Sequence, residues 1–294
     1  MSTAKLNNYL HLHFIVFIWG FTAILGALIS IDAIPLVWYR MLFAVIFTVG
    51  YFLIKKKSLK IPPKAIIKFV IGGVIIATHW VAFFSAIKVS NVSVALVSLS
   101  TGALFTSLLE PLFFKRRINP LEFIFGLIVI SGLYLIFNVE GEYALGIIYA
   151  LIAAFLSALF SVLNGLYVKQ YDAEAISLYQ LLFGVLFITV FVFATTGFNA
   201  EDYTLNLSDF SYILILSSIC TAYAFIVSVR IMKYLTPYTV MLTINLEPIY
   251  AIILALIIFG EKEQMSFEFY IGAVIIILTV IANGIIKNKK KRIN

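Results

Sequence analysis

"LSTGALFTSLLEPLFFKRRINPLEFIFG" (99–126) and "NLEPIYAIILALIIFGEKEQMSFEFYIG" (245–272) decide the fold when one is laid over the other at an offset of 146. Each opens inside an apolar run, 91–113 and 237–259, of the length needed to cross a hydrocarbon core of about 30 Å. The register sets Glu122-Phe123 over Glu268-Phe269 and Gly126 over Gly272. A second pair agrees at an offset of 140: "PLVWYRMLF" (35–43) matches "AISLYQLLF" (175–183), with Tyr39 on Tyr179 and Phe43 on Phe183. The chain therefore reads as two related halves, 1–140 and 141–294.

Working outward, apolar runs recur along all 294 residues. The predicted spans are 9–29, 34–54, 66–87, 91–113, 121–138, 144–168, 177–197, 209–230, 237–259 and 267–286. Only 12% of the residues are charged and 63% are hydrophobic, against about 25% charged in a soluble domain. The expected class is an all-α integral membrane protein with ten transmembrane helices. The first run is too long for a signal-peptide core and lacks a well-placed small-x-small cleavage site, so it is read as a permanent span. Five spans per half is an odd number, so the second half must enter the membrane in the opposite sense. Such inverted repeats recur among secondary transporters, whose substrate sites lie near the midplane between the halves.

The net charge of +7 is a topology signal and not a nucleic-acid surface. With the N-terminus inside, 18 of the 21 Lys and Arg residues fall on the cytoplasmic side, including Lys55–Lys57, Lys115–Arg117 and the tail from Lys287. Only Lys88 and Lys262 fall outside, where acids such as Asp32, Glu140, Glu201, Asp209 and Glu263 collect. This follows the positive-inside rule and predicts both termini in the cytoplasm of a cell (plasma or inner) membrane, with contacts to its lipids. The single cysteine, Cys220, precludes an intrachain disulfide.

With these features in place, the chain resembles the EamA branch of the drug/metabolite transporter superfamily over nearly its whole length. The resemblance rests on "WGFTAILG" (19–26), "IPLVWYRMLFA" (34–44), "SAIKVSNVSVALVSLST" (85–101), "SVRIMKYLTPYTVMLTINLEP" (228–248) and "FGEK" (259–262). The first half departs from it, with Thr101-Gly102 where the second has Glu247-Pro248. The resemblance implies export of amino acids, related metabolites or drugs.

Ionisable residues inside spans are costly, at about 2.5–3.5 kcal/mol even on the lower scales, and mark the candidates. Glu247 sits about 15 Å into the ninth span, and Pro248 deprives a carbonyl near Ile244 of its helical partner. With Asn245 and Thr243 beside it, Glu247 reads as a carboxylate that binds a cationic substrate group or exchanges a proton. The alternative is a protonated Glu that bonds a neighbouring helix. Arg40 can hold a substrate carboxylate, cap helix carbonyls or pair with Glu247. His79, beside Trp80, is a core donor or a proton carrier. Glu110 is expected to snorkel toward Lys115, Arg116 and Arg117. Ser98 and Thr101 of the "SLST" run, Asn164, Tyr223 and Trp19 are candidate cavity liners, and Gly72, Gly73, Gly126, Gly132 and Gly272 are expected to bring helices close.

No phosphate loop, "HExxH" or "GxSxG" motif occurs, and no His or Cys pair stands at metal-ligand spacing. Neither an enzyme nor a metal or cofactor site is expected. The leading expectation is a secondary transporter for a small-molecule substrate such as an amino acid, with a proton as one coupling option. A nucleobase, drug or lipid-linked substrate is the alternative within transport, and a membrane scaffold or enzyme the alternative outside it.

Overall fold

Each apolar run is a helix. The computed structural model describes residues 3–115, 120–139 and 141–293; Arg116, Arg117 and Glu140 of the charge count lie outside them. Span one is α1 (Thr3–Leu28), span two α2 (Ala33–Ile54) and span three α3 (Pro63–Val89). Span four is split into α4 (Val92–Leu99) and α5 (Gly102–Phe113), and α6 (Pro120–Val139) is span five. Spans six and seven are α7 (Ala144–Tyr167) and α8 (Ala173–Thr195). Span eight is α9 (Leu207–Ser217), a π-turn (Ser218–Tyr223) and α10 (Ala224–Ile231). Span nine is α11 (Pro237–Ile244) and α12 (Glu247–Phe259), and α13 (Phe267–Ile293) is span ten. Eight of the ten have full-length apolar segments; α6 and α13 carry shorter ones, Ile124–Ile136 and Phe267–Thr279. Among the described residues there is no strand.

The two breaks in spans four and nine occupy matching places in the repeat but have different causes. In span nine, Pro248 has no N–H to give Ile244. The chain tightens there, Leu246 N donating to Thr243 O at 3.0 Å before α12 restarts at Glu247. Span four has no proline at its break. Its hydroxyls turn back on their own helix: Ser100 Oγ donates to Val97 O at 2.6 Å and Thr101 Oγ1 to Ser98 O at 2.7 Å. Such back-bonding bends helices. The first break was not expected from the sequence.

The halves are tied by exchanged polar contacts. Glu263, just past span nine, accepts from Val92 N (2.8 Å), Ser93 N (2.9 Å) and Ser93 Oγ (2.7 Å) at the start of span four. Glu110, near the end of span four, accepts from Tyr238 N at the start of span nine, 3.0 Å away. Each carboxylate therefore meets the unsatisfied N–H groups and positive dipole end of the other half's helix. The sequence reading had turned Glu110 toward Lys115, Arg116 and Arg117, of which the two arginines lie outside the described residues, and had not singled out Glu263.

Two more exchanges repeat the pattern. Tyr39 on span two donates to Tyr203 O in the loop between spans seven and eight. Its repeat mate Tyr179 on span seven donates to Leu59 O in the loop between spans two and three. Asp209, at the start of span eight, accepts from Ser30 N and Oγ at the end of span one. Lys68, near the start of span three, donates to Gln170 and Tyr171 at the end of span six.

Glycines set the closest helix approaches. A Cβ on Gly73 would lie 2.6 Å from Gln180 O and 2.9 Å from Gly184 N, so only glycine lets α3 lie this close to α8. Gly132 and Gly272 face each other between α6 and α13, where a Cβ on Gly272 would lie 3.0 Å from Gly132 O. Gly126, expected to do the same, meets only the Leu104 side chain at ordinary contact distance.

Removing Glu263 strips two buried N–H groups of their acceptor, at about 1–3 kcal/mol for each unpaired group. Glu263→Ala is expected to lower the melting temperature in detergent by several degrees and Glu263→Gln, which keeps an acceptor oxygen, by less. Equal melting of all three proteins would show that the caps do not hold the halves together.

Candidate functional site

The central cavity lies where the broken span nine faces spans one, two, three, six and eight. Its volume is about 90 Å³. Its lining includes Trp19 and Thr22 (α1), Arg40 (α2), His79, Trp80 and Phe83 (α3), and Ser157, Phe160 and Ser161 (α7). Cys220 of the π-turn, Phe225 and Ser228 of α10, and Met241, Ile244, Asn245 and Glu247 of span nine complete most of the wall. Met232 and Val240, beside the turn joining spans eight and nine, mark one end of it. Arg40 and Glu247, each well inside its span, lie away from that turn.

Arg40 is 2% exposed and Glu247 6%, so both side chains are enclosed by protein. The Arg40 guanidinium lies over the Trp80 ring, 4.0 Å from its centroid, a cation–π contact. Its Nε donates to Thr221 Oγ1 at 2.7 Å. Thr221 is placed by the π-turn, and its hydroxyl in turn donates to Leu216 O at 2.7 Å. Arg40 Nη1 has no hydrogen-bond partner, and neither does Asn245 Nδ2. Among the described residues Glu247 makes no ion pair, with Arg40 or any other cation. A buried polar group without a partner is destabilising, and here such donors share one cavity with an unpaired acid.

His79 Nδ1 lies 2.8 Å from Ala153 O. A carbonyl only accepts, so Nδ1 carries the hydrogen and the neutral ring offers Nε2 as an acceptor. The ring also stacks on Phe83. Trp19 Nε1 donates to Cys220 O at 3.0 Å, which fixes α1 against the π-turn. Six of the predicted residues or their neighbours thus converge: Glu247, Asn245, Arg40, His79, Trp80 and Trp19 all line the cavity.

Four others do not. Thr101 spends its hydroxyl on Ser98 O, and Ser98 is buried in span four without lining the cavity. Asn164 pairs amide to amide with Gln180, across α7 and α8, at 2.8 and 3.3 Å. Tyr223 is 40% exposed on the outer side of the π-turn, its hydroxyl 2.6 Å from His11 Nε2. The sequence reading missed Thr22, Thr221, Ser157, Ser161 and Phe225. A hydroxyl or ring in an apolar span carries no signal of which face it presents.

Comparison with known proteins follows the same lines. A model of the EamA-like transporter family matches residues 9–138 and again 144–284. A protein of Clostridium kluyveri named as an uncharacterized transporter is 24% identical over 239 residues, covering 78% of this chain and 76% of its own. One of Archaeoglobus fulgidus, named likewise, is 25% identical over 203 residues, covering 67% of this chain and 68% of its own. A crystallised protein of 15% identity superposes with a TM-score of 0.69 over 95% of this chain and 96% of its own, a likeness of fold.

The two amides separate site from scaffold. Asn164→Ala leaves Gln180 unpaired and is expected to cost about 1–3 kcal/mol. Asn245→Ala removes a donor that already lacks a partner and is expected to leave the melting temperature within about 1 °C of the parent. A larger loss at Asn245 than at Asn164, in thermal unfolding, would contradict this reading.

Proposed function

The chain belongs to the EamA-like transporter family, and from that premise we propose that it is a secondary transporter exporting a small zwitterionic metabolite such as an amino acid. One observation carries the reading. Among the described residues, unpartnered Arg40 Nη1 and Asn245 Nδ2 share the cavity with Glu247, which makes no ion pair. A substrate carboxylate satisfies the donors, and a substrate ammonium group faces the acid. The rings of Trp19, Trp80, Phe160 and Phe225 enclose an apolar side chain between them. Binding offsets the cost of holding both ions in the membrane, which is a reason for them to lie apart in the empty protein.

The cavity reaches the turn between spans eight and nine, on the side where Lys and Arg collect. We assign that side to the cytoplasm of the cell membrane. The opposite ends are joined by Glu263, Asp209 and the Lys88 ammonium on Ile29 O. The reading is a carrier loaded from inside, with Glu247 also the residue able to return a proton. Alternating access then requires the outer ties to release as inner ones form. A second reading has support in the aromatic walls and in Arg40, whose charge is partly taken up by Trp80 and Thr221. In it the substrate is a flat nucleobase or drug held by stacking.

Counterflow in liposomes, with labelled amino acids, nucleobases and a lipophilic cation, tests both. Accumulation of an amino-acid class is expected, with Arg40→Ala and Glu247→Ala each reducing it at least about tenfold through loss of a charged partner. Glu247→Gln is expected to keep partial counterflow and lose its pH dependence. Nucleobase counterflow that survives Arg40→Ala would favour the second reading. Unchanged rate and pH dependence in both Glu247 variants would end the role assigned to that acid.

A further inference from the structure

A second cavity, of about 290 Å³, opens on the lipid-facing side of the π-turn. Here α2 packs along α9 and the π-turn but has no comparable packing on α10, so a wedge widens toward the basic side of the protein. Its walls are Phe47, Thr48 and Tyr51 on one side and Ser218, Ala222 and Ile226 on the other, with Arg230 at its end.

The walls offer little to a polar ligand. Thr48 Oγ1 donates to Ala44 O at 2.7 Å, Ser218 Oγ donates to Leu214 O at 2.7 Å, and the Tyr223 hydroxyl is engaged with His11. What remains is hydrocarbon and ring. The end is different. Arg230 and Lys57 both pair with one oxygen of Glu174, at 2.6 and 2.9 Å. Two cations on one carboxylate leave a net positive charge, and both side chains are partly open, 44% exposed at Arg230 and 38% at Lys57. Tyr51 joins this end to the groove, its ring 5.8 Å from Lys57 Nζ.

We infer that this groove is a binding site for one anionic phospholipid of the basic-side leaflet, its acyl chain along the wedge and its phosphate on Arg230 and Lys57. The charge chooses the occupant: an apolar slot ending in surplus positive charge at headgroup depth matches an anionic lipid and not a zwitterionic one. The site has a route to the cavity. Ala222 and Ser218 face the groove, while Cys220 and Thr221 of the same π-turn face inward and hold Trp19 and Arg40. π-Turns of this kind recur at functional positions. An occupant that presses on Ala222 therefore presses on the segment that orients Arg40.

Native mass spectrometry of the whole protein in detergent tests this, with phosphatidylglycerol and phosphatidylcholine of identical chains as probes. One phosphatidylglycerol is expected to be retained in preference to phosphatidylcholine. Lys57→Gln, which keeps the Arg230–Glu174 pair, and Arg230→Gln are each expected to weaken that preference roughly fivefold. Ala222→Phe fills the slot with the basic cluster intact and is expected to abolish retention. Equal retention of the two lipids by the parent protein would overturn the proposal, and so would a preference that persists in Ala222→Phe. None of these readouts depends on transport, so a failed counterflow assay leaves the result interpretable.

Discussion

Inside a hydrocarbon slab no water meets a free backbone N–H, so every helix that starts or breaks there must find its partner in protein. The exchange of carboxylates between spans four and nine is the solution on which this architecture depends. Glu263 closes the start of span four, and Glu110 closes the start of span nine. Because the two spans run in opposite directions, each acid lies at the depth where the other half's helix begins. The tyrosine pair and the ties at the ends of spans one and six follow the same exchange. The halves are thus cross-linked by polar contacts and not merely packed.

Both sides of the protein carry such ties. On the acidic side, Glu263 gathers three donors, and Asp209 gathers Ser30 N, Ser30 Oγ and Asn206 Nδ2. On the basic side Glu110 takes Tyr238 N, Glu174 takes Lys57 and Arg230, and Lys68 reaches a neutral amide and a phenol. Charge-assisted bonds to several donors are the stronger kind. The end of the cavity marked by Met232 and Val240 lies on the basic side.

The centre is organised by a different economy of polar groups. Span nine breaks because proline cannot donate, span four because its hydroxyls bond backward, and span eight loosens into a π-turn. The π-turn sets Thr221 under Arg40. The break in span nine sets Asn245 and Glu247 on the cavity wall. Irregular backbone at membrane depth is tolerated where it lines a cavity, and two of these three irregular places do so directly.

The fold was legible because the membrane imposes a length and the charge bias imposes a direction: runs of about 20 residues and a one-sided collection of Lys and Arg leave little freedom. The same cost argument found Arg40, His79 and Glu247, since an ion in a span stands out whatever its neighbours. Thr101, Asn164 and Tyr223 were misplaced because a polar side chain in an apolar helix can satisfy itself on its own backbone, on a facing amide or at the outer surface, and composition does not distinguish these. Span count, the one-sided collection of basic residues and the expensive residues were therefore determined by the sequence alone. The pairing of Glu263 with α4, the π-turn beneath Arg40 and the separation of Arg40 from Glu247 were decided by tertiary structure, because each depends on the rotation and depth of one helix against another, which no single span encodes.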